Sequence, residues 1–577
     1  AGWSKAAWAE SPTSVPEAVV VPSVSGAASP MMAKLKTLVA SGKLTDLIYS
    51  DFSDNQAQIA AFYQDGGYAP VWFVGGKLTP QANELIKCFA AAQEKGLNPD
   101  DYDGPRWAAR VQALQTAYRS SGTTPSAQAT DFAARFDVAM TVAAMRYIAN
   151  LHSGRVNPDH VQFSFDKGAE KLDLPQFVRA RVIDADNIND VIAEVEPPFM
   201  GYQRAEAALA NYIELARQGD GPALAMPLKS VRPGDDYPEL PRLAARLHQL
   251  GDWPANDPPL DAGGKYTGPA VDAVKHFQHR EGLSPDGVIG KGTIAAINVP
   301  LSERVRQIEL ALERYRWIPP KFAQPPIVVN IPEFRLRTMR SQAGGFLSME
   351  VVVGRAYRNQ TPVFTGEMKY VIFRPYWNVP ISIQVDELVP KVRKDPDYLV
   401  ANNYEVVDGS EHVITDGPVN NATLAQLRNA ELFIRQKPGP KNALGLVKFI
   451  FPNSYNVYLH STPAPELFGR ARRDFSHGCI RVQDPAALAA WVLRDKPKWN
   501  PEKIQAAMNG DQTVQVNLDQ PIPVLIIYTT AVVEPDGEIH FFGDIYGYDR
   551  QLENSLAAGF PYKSGPELNK GVKPASD

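Results

Sequence analysis

Tyr458-Leu459-His460-Ser461-Thr462 and Ser476-His477-Gly478-Cys479-Ile480-Arg481 hold the densest chemistry in the chain, and fifteen residues, 461 to 475, separate His460 from Ser476. A thiol attacks a carbonyl only as its thiolate, and an ordinary cysteine of pKa ~8.5 is mostly protonated at neutral pH. A neighbouring imidazole can take that proton and later return it to a leaving amine. If His460 ends one strand and Cys479 begins an adjacent element, the loop between them brings the two together, which places the pair in a β-rich domain. Gly478 removes the side chain just before the nucleophile, so the backbone can turn sharply and present N–H groups to a developing oxyanion.

Arg470, Arg472, Arg473 and Arg481 surround the pair in sequence. Cations favour thiolate over thiol and can pair with carboxylates of an acidic peptide. A solvated surface loop is the competing reading for Arg470 and Arg472. Arg481 lies two residues from Cys479, so on an extended backbone both point to one side. A buried structural cysteine is the usual fate of a lone thiol, but the two histidines and the arginines argue against it here. Zinc on His460, His477 and Cys479 would meet positive neighbours and lacks a fourth ligand at ordinary spacing. A disulfide from Cys479 to Cys88, the other cysteine, would join a helical region to the β-rich one without evident reason. Cys88 sits in the helical stripe Leu85 to Phe89 and reads as a buried spacer. A covalent thiol mechanism needs no metal or organic cofactor.

Working outward, the chain reads as multidomain α+β. Its 577 residues suggest about three or four domains at roughly 150 residues each. With 44% hydrophobic and 21% charged residues the chain is globular, and a net charge of −5 offers no global basic field to nucleic acid. Two cysteines exclude a disulfide framework and a four-thiolate metal site. Residues 1–30 read as a disordered tether, since 12–30 hold four prolines, four serines and the single charge of Glu17. Residues 31–228 read as a helical scaffold domain; Phe132, Phe136, Met140, Ala144, Tyr147 and Leu151 share one helix face, with Thr130 or Asp131 as its opening cap.

Residues 229–299 read as a small three-helix unit. Leu240, Leu243, Leu247 and Leu250 make a stripe closed by Gly251, Pro269 opens a second helix, and Thr293 starts the last. From about Pro326 the period becomes two, with strands at Ile327–Ile331, Met349–Val353, Tyr370–Phe373, Val447–Phe451 and Asn456–Leu459. The catalytic domain is expected over 300–550, with an insertion at about 378–440 able to cover a cleft, followed by a C-terminal tail at 551–577. No run of roughly 18 apolar residues spans a bilayer. A secretion signal or membrane anchor is expected, if anywhere, outside this sequence.

Two resemblances sharpen this reading. Leu247-His248-Gln249-Leu250-Gly251, Ala273-Val274-Lys275-His276-Phe277-Gln278, Glu281-Gly282-Leu283 and Asp286-Gly287-Val288-Ile289-Gly290 resemble the peptidoglycan-binding type 1 module. The loop with Asp261-Ala262-Gly263-Gly264 is slightly longer than usual there. His460, the fifteen-residue gap and Ser476-His477-Gly478-Cys479-Ile480-Arg481 resemble the motif of the L,D-transpeptidase (YkuD) family. Val329-Asn330-Ile331-Pro332, Gln360-Thr361-Pro362, Tyr376-Trp377-Asn378-Val379-Pro380, Asn442-Ala443-Leu444-Gly445 and Lys448-Phe449 match as well. With Ala69-Pro70-Val71-Trp72 and Ser153-Gly154-Arg155-Val156 they resemble the large YcbB-like branch, which joins scaffold, binding module and capped catalytic domain.

The resemblance implies a periplasmic or cell-envelope enzyme, with an inner-membrane anchor among the options, acting on peptidoglycan stem peptides and glycan. Cys479 would attack the carbonyl between the third stem residue and D-Ala, and a second stem would resolve the acyl-enzyme into a 3→3 cross-link. His460 would be base and acid, with Ser461 orienting it through its carbonyl. His477 and Gly478 would shape the oxyanion hole with the Cys479 N–H, or His477 would be structural. Arg481, Trp377, Tyr458 and Ser476 would face substrate, and carbapenems would acylate the thiol. Water as acceptor would make an L,D-carboxypeptidase instead, and the binding module alone a non-catalytic wall protein.

Overall fold

The computed structural model describes residues 29–121, 124–165, 172–253, 264–339, 345–357 and 359–562. The expected tether therefore lies almost wholly outside the described residues, as do Asp261 to Gly263 and the chain beyond 562. The first helix opens at Pro30, where the Ser29 hydroxyl accepts from the Met32 N–H.

Eight strands build the core of the C-terminal part: β1 (Ile327–Asn330), β2 (Arg335–Thr338), β3 (Ser348–Gly354), β4 (Val363–Phe373), β5 (Val447–Ile450), β6 (Leu459–His460), β7 (Ile480–Val482) and β8 (Val514–Ile527). Their order is β5-β6-β7-β3-β2-β1-β8-β4, and β4 pairs again with β5, so the sheet closes into a barrel without a free edge. β6 runs parallel to β7 and β8 parallel to β1; the remaining neighbours are antiparallel. Val447, Phe449, Leu459, Ile480 and Val482 alternate into the interior with Val329, Leu336, Val351 and Val371. Polar residues between them are thereby forced outward, so the strands present a polar outer face.

Between β4 and β5 the chain leaves the barrel. Residues 377–436 form a lobe with its own four-stranded sheet and its own apolar core, including Leu388, Val392, Val406 and Ile434. This lobe occupies the position of the insertion expected at about 378–440. On the N-terminal side, the scaffold core runs from Leu35 to Val195 around the long helix Ala127–Ser153. That helix opens at Ser126, whose hydroxyl accepts the Ala129 N–H, rather than at Thr130 or Asp131. Asp137 on the same helix is fully buried and accepts from the Val71 and Trp72 N–H groups and the Tyr63 hydroxyl, which ties the Ala69-Pro70-Val71-Trp72 segment to it.

The small unit has helices Leu240–Leu250, Pro269–Arg280 and Lys291–Ile297 around one core. Its last helix begins at Lys291, two residues before the expected Thr293. The Thr293 hydroxyl bonds Gln278 and the Val288 carbonyl instead, bracing the preceding turn. A further core ignores the sequence-based boundaries. Helix α1 (Met200–Gln218) packs on helix α2 (Leu301–Tyr315) and on the hairpin β9 (Ala531–Val533) and β10 (Ile539–Phe541). Pieces read as scaffold and as catalytic domain thus share one interior. Helix Tyr548–Ala557 likewise spans the boundary placed at 550, burying Leu552 and Leu556 in the barrel core. No helix among the described residues is long and apolar enough to cross a membrane.

Candidate active site

In the parallel pair β6–β7, Leu459 stands opposite Ile480 and His460 opposite Arg481, while antiparallel β5 sets Lys448 opposite His460. Facing residues share a side and side chains alternate along each strand. Lys448, Tyr458, His460, Cys479 and Arg481 therefore project from one face of three neighbouring strands.

His460 is buried, and its Nδ1–H donates to the Ser461 carbonyl at 2.5 Å. The Leu444 carbonyl also bonds the ring. The chain approaches Ser461 so closely at Gly445, whose φ is +63°, that a Cβ there would lie 2.4 Å from the Ser461 hydroxyl. With the single proton of the neutral ring on Nδ1, Nε2 carries the lone pair. Burial, Arg481 and Lys448 together outweigh the two carbonyls and push the imidazole down to about 3, so it is neutral at physiological pH.

Cys479 is half-buried, and loss of water around its sulfur pushes the thiol above its ordinary range. The Tyr458 N–H and hydroxyl, Lys448 and Arg481 all pull the other way without overcoming burial. The cations act in the expected direction, but the resting group is a thiol. It donates to the Asn456 carbonyl at 3.7 Å. The sulfur's hydrogen bonds thus run to Asn456 and Tyr458 while those of His460 run to Ser461 and Leu444, two neutral groups on adjacent strands.

The turn before Cys479 is heavily braced. Gly478 has φ +115°, its N–H donates to the Ser476 hydroxyl at 3.1 Å, and that hydroxyl donates to the Cys479 carbonyl at 2.5 Å. The Gly478 amide is therefore engaged within the turn rather than turned toward an oxyanion, and Ser476, expected on the substrate side, is buried beneath it. From outside, the Thr361 hydroxyl donates to the Gly478 carbonyl at 2.7 Å and accepts from the Gly354 N–H at 2.9 Å. The Tyr546 hydroxyl completes this brace by donating to the Gly354 carbonyl at 2.5 Å.

His477 is exposed and its Nε2 lies 2.6 Å from Glu387 Oε1, a residue of the capping lobe. Trp377, at the lobe's edge, hydrogen-bonds the Tyr458 hydroxyl. The lobe thus touches the motif at two points. Of the four arginines only Arg481 belongs to this face. Arg470 stacks over Phe475, Arg472 pairs with Asp474 at 2.6 Å, and buried Arg473 pairs with Glu350. Cys88 and Cys479 are both free, and burial pushes the Cys88 thiol up to about 11.

Sequence reasoning passed over Lys448, Thr361, Tyr546 and Glu387 as site residues. Lys448 had a usable signal, a charge between Val447 and Phe449 in an otherwise apolar strand. The other three depend on contacts between distant segments.

Residues 324–516, which contain this whole face, match the catalytic domain of the L,D-transpeptidases. These residues belong to the L,D-transpeptidase (YkuD) family. Residues 57–209 match a scaffold domain and 237–297 a peptidoglycan-binding domain. Over 226 residues, 39% of the chain, it is 34% identical to a curated Haemophilus influenzae protein carrying an L,D-transpeptidase name. The matched stretch spans 45% of that relative's length. The L,D-transpeptidase domain thus sits beside two further units of the kind that the resemblances implied.

Proposed function

We propose that this protein is a peptidoglycan L,D-transpeptidase of the cell envelope that forms 3→3 cross-links through an acyl-enzyme on Cys479. The observation that carries the reading is the placement of Cys479, neutral His460, Lys448 and Arg481 on one face of adjacent strands. Rotation about the Cys479 Cα–Cβ bond takes the thiol from Asn456 toward His460. The sulfur then bonds to the carbonyl carbon linking the third stem residue to D-Ala, and its proton passes to His460 Nε2. Collapse breaks the C–N bond, and D-Ala leaves with that proton on its amine. A side-chain amine from a second stem attacks the thioester, returning a proton to the thiol through His460 and leaving a new amide. The Cys479 N–H faces the developing oxyanion, and Arg481 and Lys448 stabilise the thiolate and the negative charge that follow. Trp377 and Tyr458 form the wall beneath the capping lobe, and residues 237–297 hold the sacculus nearby.

Mass spectrometry of products from purified disaccharide-tetrapeptide tests this reading. Cross-linked dimers with release of D-Ala are expected, and Cys479→Ala should lower dimer formation by more than about a thousandfold while sacculus binding persists. Tripeptide without dimer would make the protein an L,D-carboxypeptidase. Undiminished cross-linking by the variant would end the cysteine assignment.

A further inference from the structure

The second helix of the small unit (Pro269–Arg280) lies against the hairpin β9–β10, and their meeting point gathers histidines that the transpeptidase chemistry does not use. His276 and His279 come from the helix; Glu538 and His540 come from the hairpin. Glu538 Oε1 lies 3.0 Å from His540 Nε2, and Glu538 Oε2 lies 2.9 Å from His276 Nε2. The His279 and His540 rings are 5.3 Å apart between centroids and nearly perpendicular. One ligand atom each from His279, Glu538 and His540 lies within 4.8 Å of the other two.

We propose that His279, Glu538 and His540 form a binding site for a divalent transition metal, Zn²⁺ by donor type, that clamps the small helical unit to the hairpin following the barrel. Two imidazole nitrogens and one carboxylate are a three-ligand zinc set that leaves one position for water. Around a tetrahedral ion with bonds of roughly 2.0–2.1 Å, neighbouring donors stand about 3.3 Å apart. The Glu538–His540 pair already has that spacing, and side-chain rotation of exposed His279 closes the remainder.

The surroundings support a metal rather than a plain ion pair. His276 sits between Glu538 Oε2 and Asp252 Oδ1, both at 2.9 Å, so it occupies the second carboxylate oxygen and leaves Oε1 toward His540. Asp252 is buried and held by Arg280, giving the outer layer that fixes ligand orientation. Arg337, a cation lining the same cleft, is paired with Glu333 and Glu534. His276, His279, Glu538 and His540 all line an open cleft of about 900 Å³, through which an ion and its water can enter. Arg470 and Arg473, from the loop between His460 and Cys479, line the same cleft. An ion here would therefore fix the small unit against the hairpin, at one side of the cleft that this loop also lines.

Equilibrium dialysis and calorimetry of the full chain with Zn²⁺, in a Cys479→Ala background so that the thiol cannot ligate, test the proposal. One Zn²⁺ per chain is expected, with an affinity weakened at least about tenfold by His279→Ala and by Glu538→Gln and abolished by His540→Ala. Co²⁺ should give the absorption of a tetrahedral nitrogen–oxygen site, lost in the same variants, while His248→Ala binds normally. Circular dichroism of the metal-free proteins checks that each variant folds, and exposed His279 supplies the variant least able to disturb the core. No stoichiometric uptake, or uptake unchanged in His279→Ala and Glu538→Gln, would overturn the site. A hydrogen-bonded cluster without metal function would give the first of these results.

Discussion

Cys479 and His460 work against opposite backgrounds although they stand side by side. The same cations, Lys448 and Arg481, lower both groups, while burial raises the thiol and lowers the imidazole. The result is a neutral thiol beside a neutral base, so in the proposed mechanism deprotonation is coupled to substrate arrival. Alkylation of Cys479 by iodoacetamide should therefore keep accelerating as the pH rises past 9, because only the thiolate reacts. Lys448→Met removes one of the groups pulling the thiol down, so its proton is held more tightly. With about 1 kcal/mol of attraction lost, alkylation at pH 8 should slow on the order of fivefold. An unchanged rate would mean that Lys448 does not act on the sulfur. Cys479 and Arg481 were legible because they lie two residues apart, and His460 because it stands just before the fifteen-residue gap to Ser476. Lys448 stands out as a charge in an apolar strand, but its place beside His460 depends on the pairing of β5 with β6, and register is invisible in a single strand.

The capping lobe folds around its own core, and its links to the motif include the polar contact between Glu387 and His477. A contact of this kind on an exposed histidine contributes little to stability, since surface pairs are worth at most about 1 kcal/mol. Its effect should instead be on closure. Glu387→Ala should leave the melting temperature unchanged within about 1 °C, yet raise the tripeptide-to-dimer product ratio severalfold as water enters the loosened cleft. A ratio equal to wild type would show that the lobe closes without this contact. The strands themselves were readable from alternation, but their ends were not. β6 begins at Leu459 instead of Asn456, because Asn453 draws the preceding segment into a turn through its bonds to Tyr455, Val457 and Phe451. The bonds from Thr361 to Gly478 and from Tyr546 to Gly354 were likewise hidden, since they join residues more than a hundred positions apart.

Over the whole chain, the individual units were legible and their joins were not, because helix stripes and strand alternation report burial without naming the partner surface. Helix α2 shows the consequence. Read as the start of the catalytic domain, it packs on α1 and carries Glu313, whose carboxylate has no exposure and receives Arg155 Nε at 3.1 Å, Arg316 Nη1 at 3.4 Å and the Val156 N–H at 3.0 Å. Arg155 also reaches the Gly96 carbonyl and Arg316 the Tyr202 hydroxyl, so one carboxylate joins the scaffold to both helices. Burial pushes Glu313 up, but Arg155, Arg316 and the backbone N–H groups of Val156 and Arg155 more than offset this and hold it below its ordinary value of 4.5. A depressed carboxyl contributes stability above its unfolded pKa and loses it as the pH falls through the folded one. Glu313→Gln would strand two buried guanidiniums, a change that costs about 3–5 kcal/mol. Calorimetry at pH 7 should find the main transition lowered on the order of 10 °C, with the gap to wild type closing only below pH 4.5, where wild-type Glu313 also loses its charge. Equal transitions at pH 7 would mean that the scaffold and catalytic barrel are held together by their apolar contacts and not through this carboxylate.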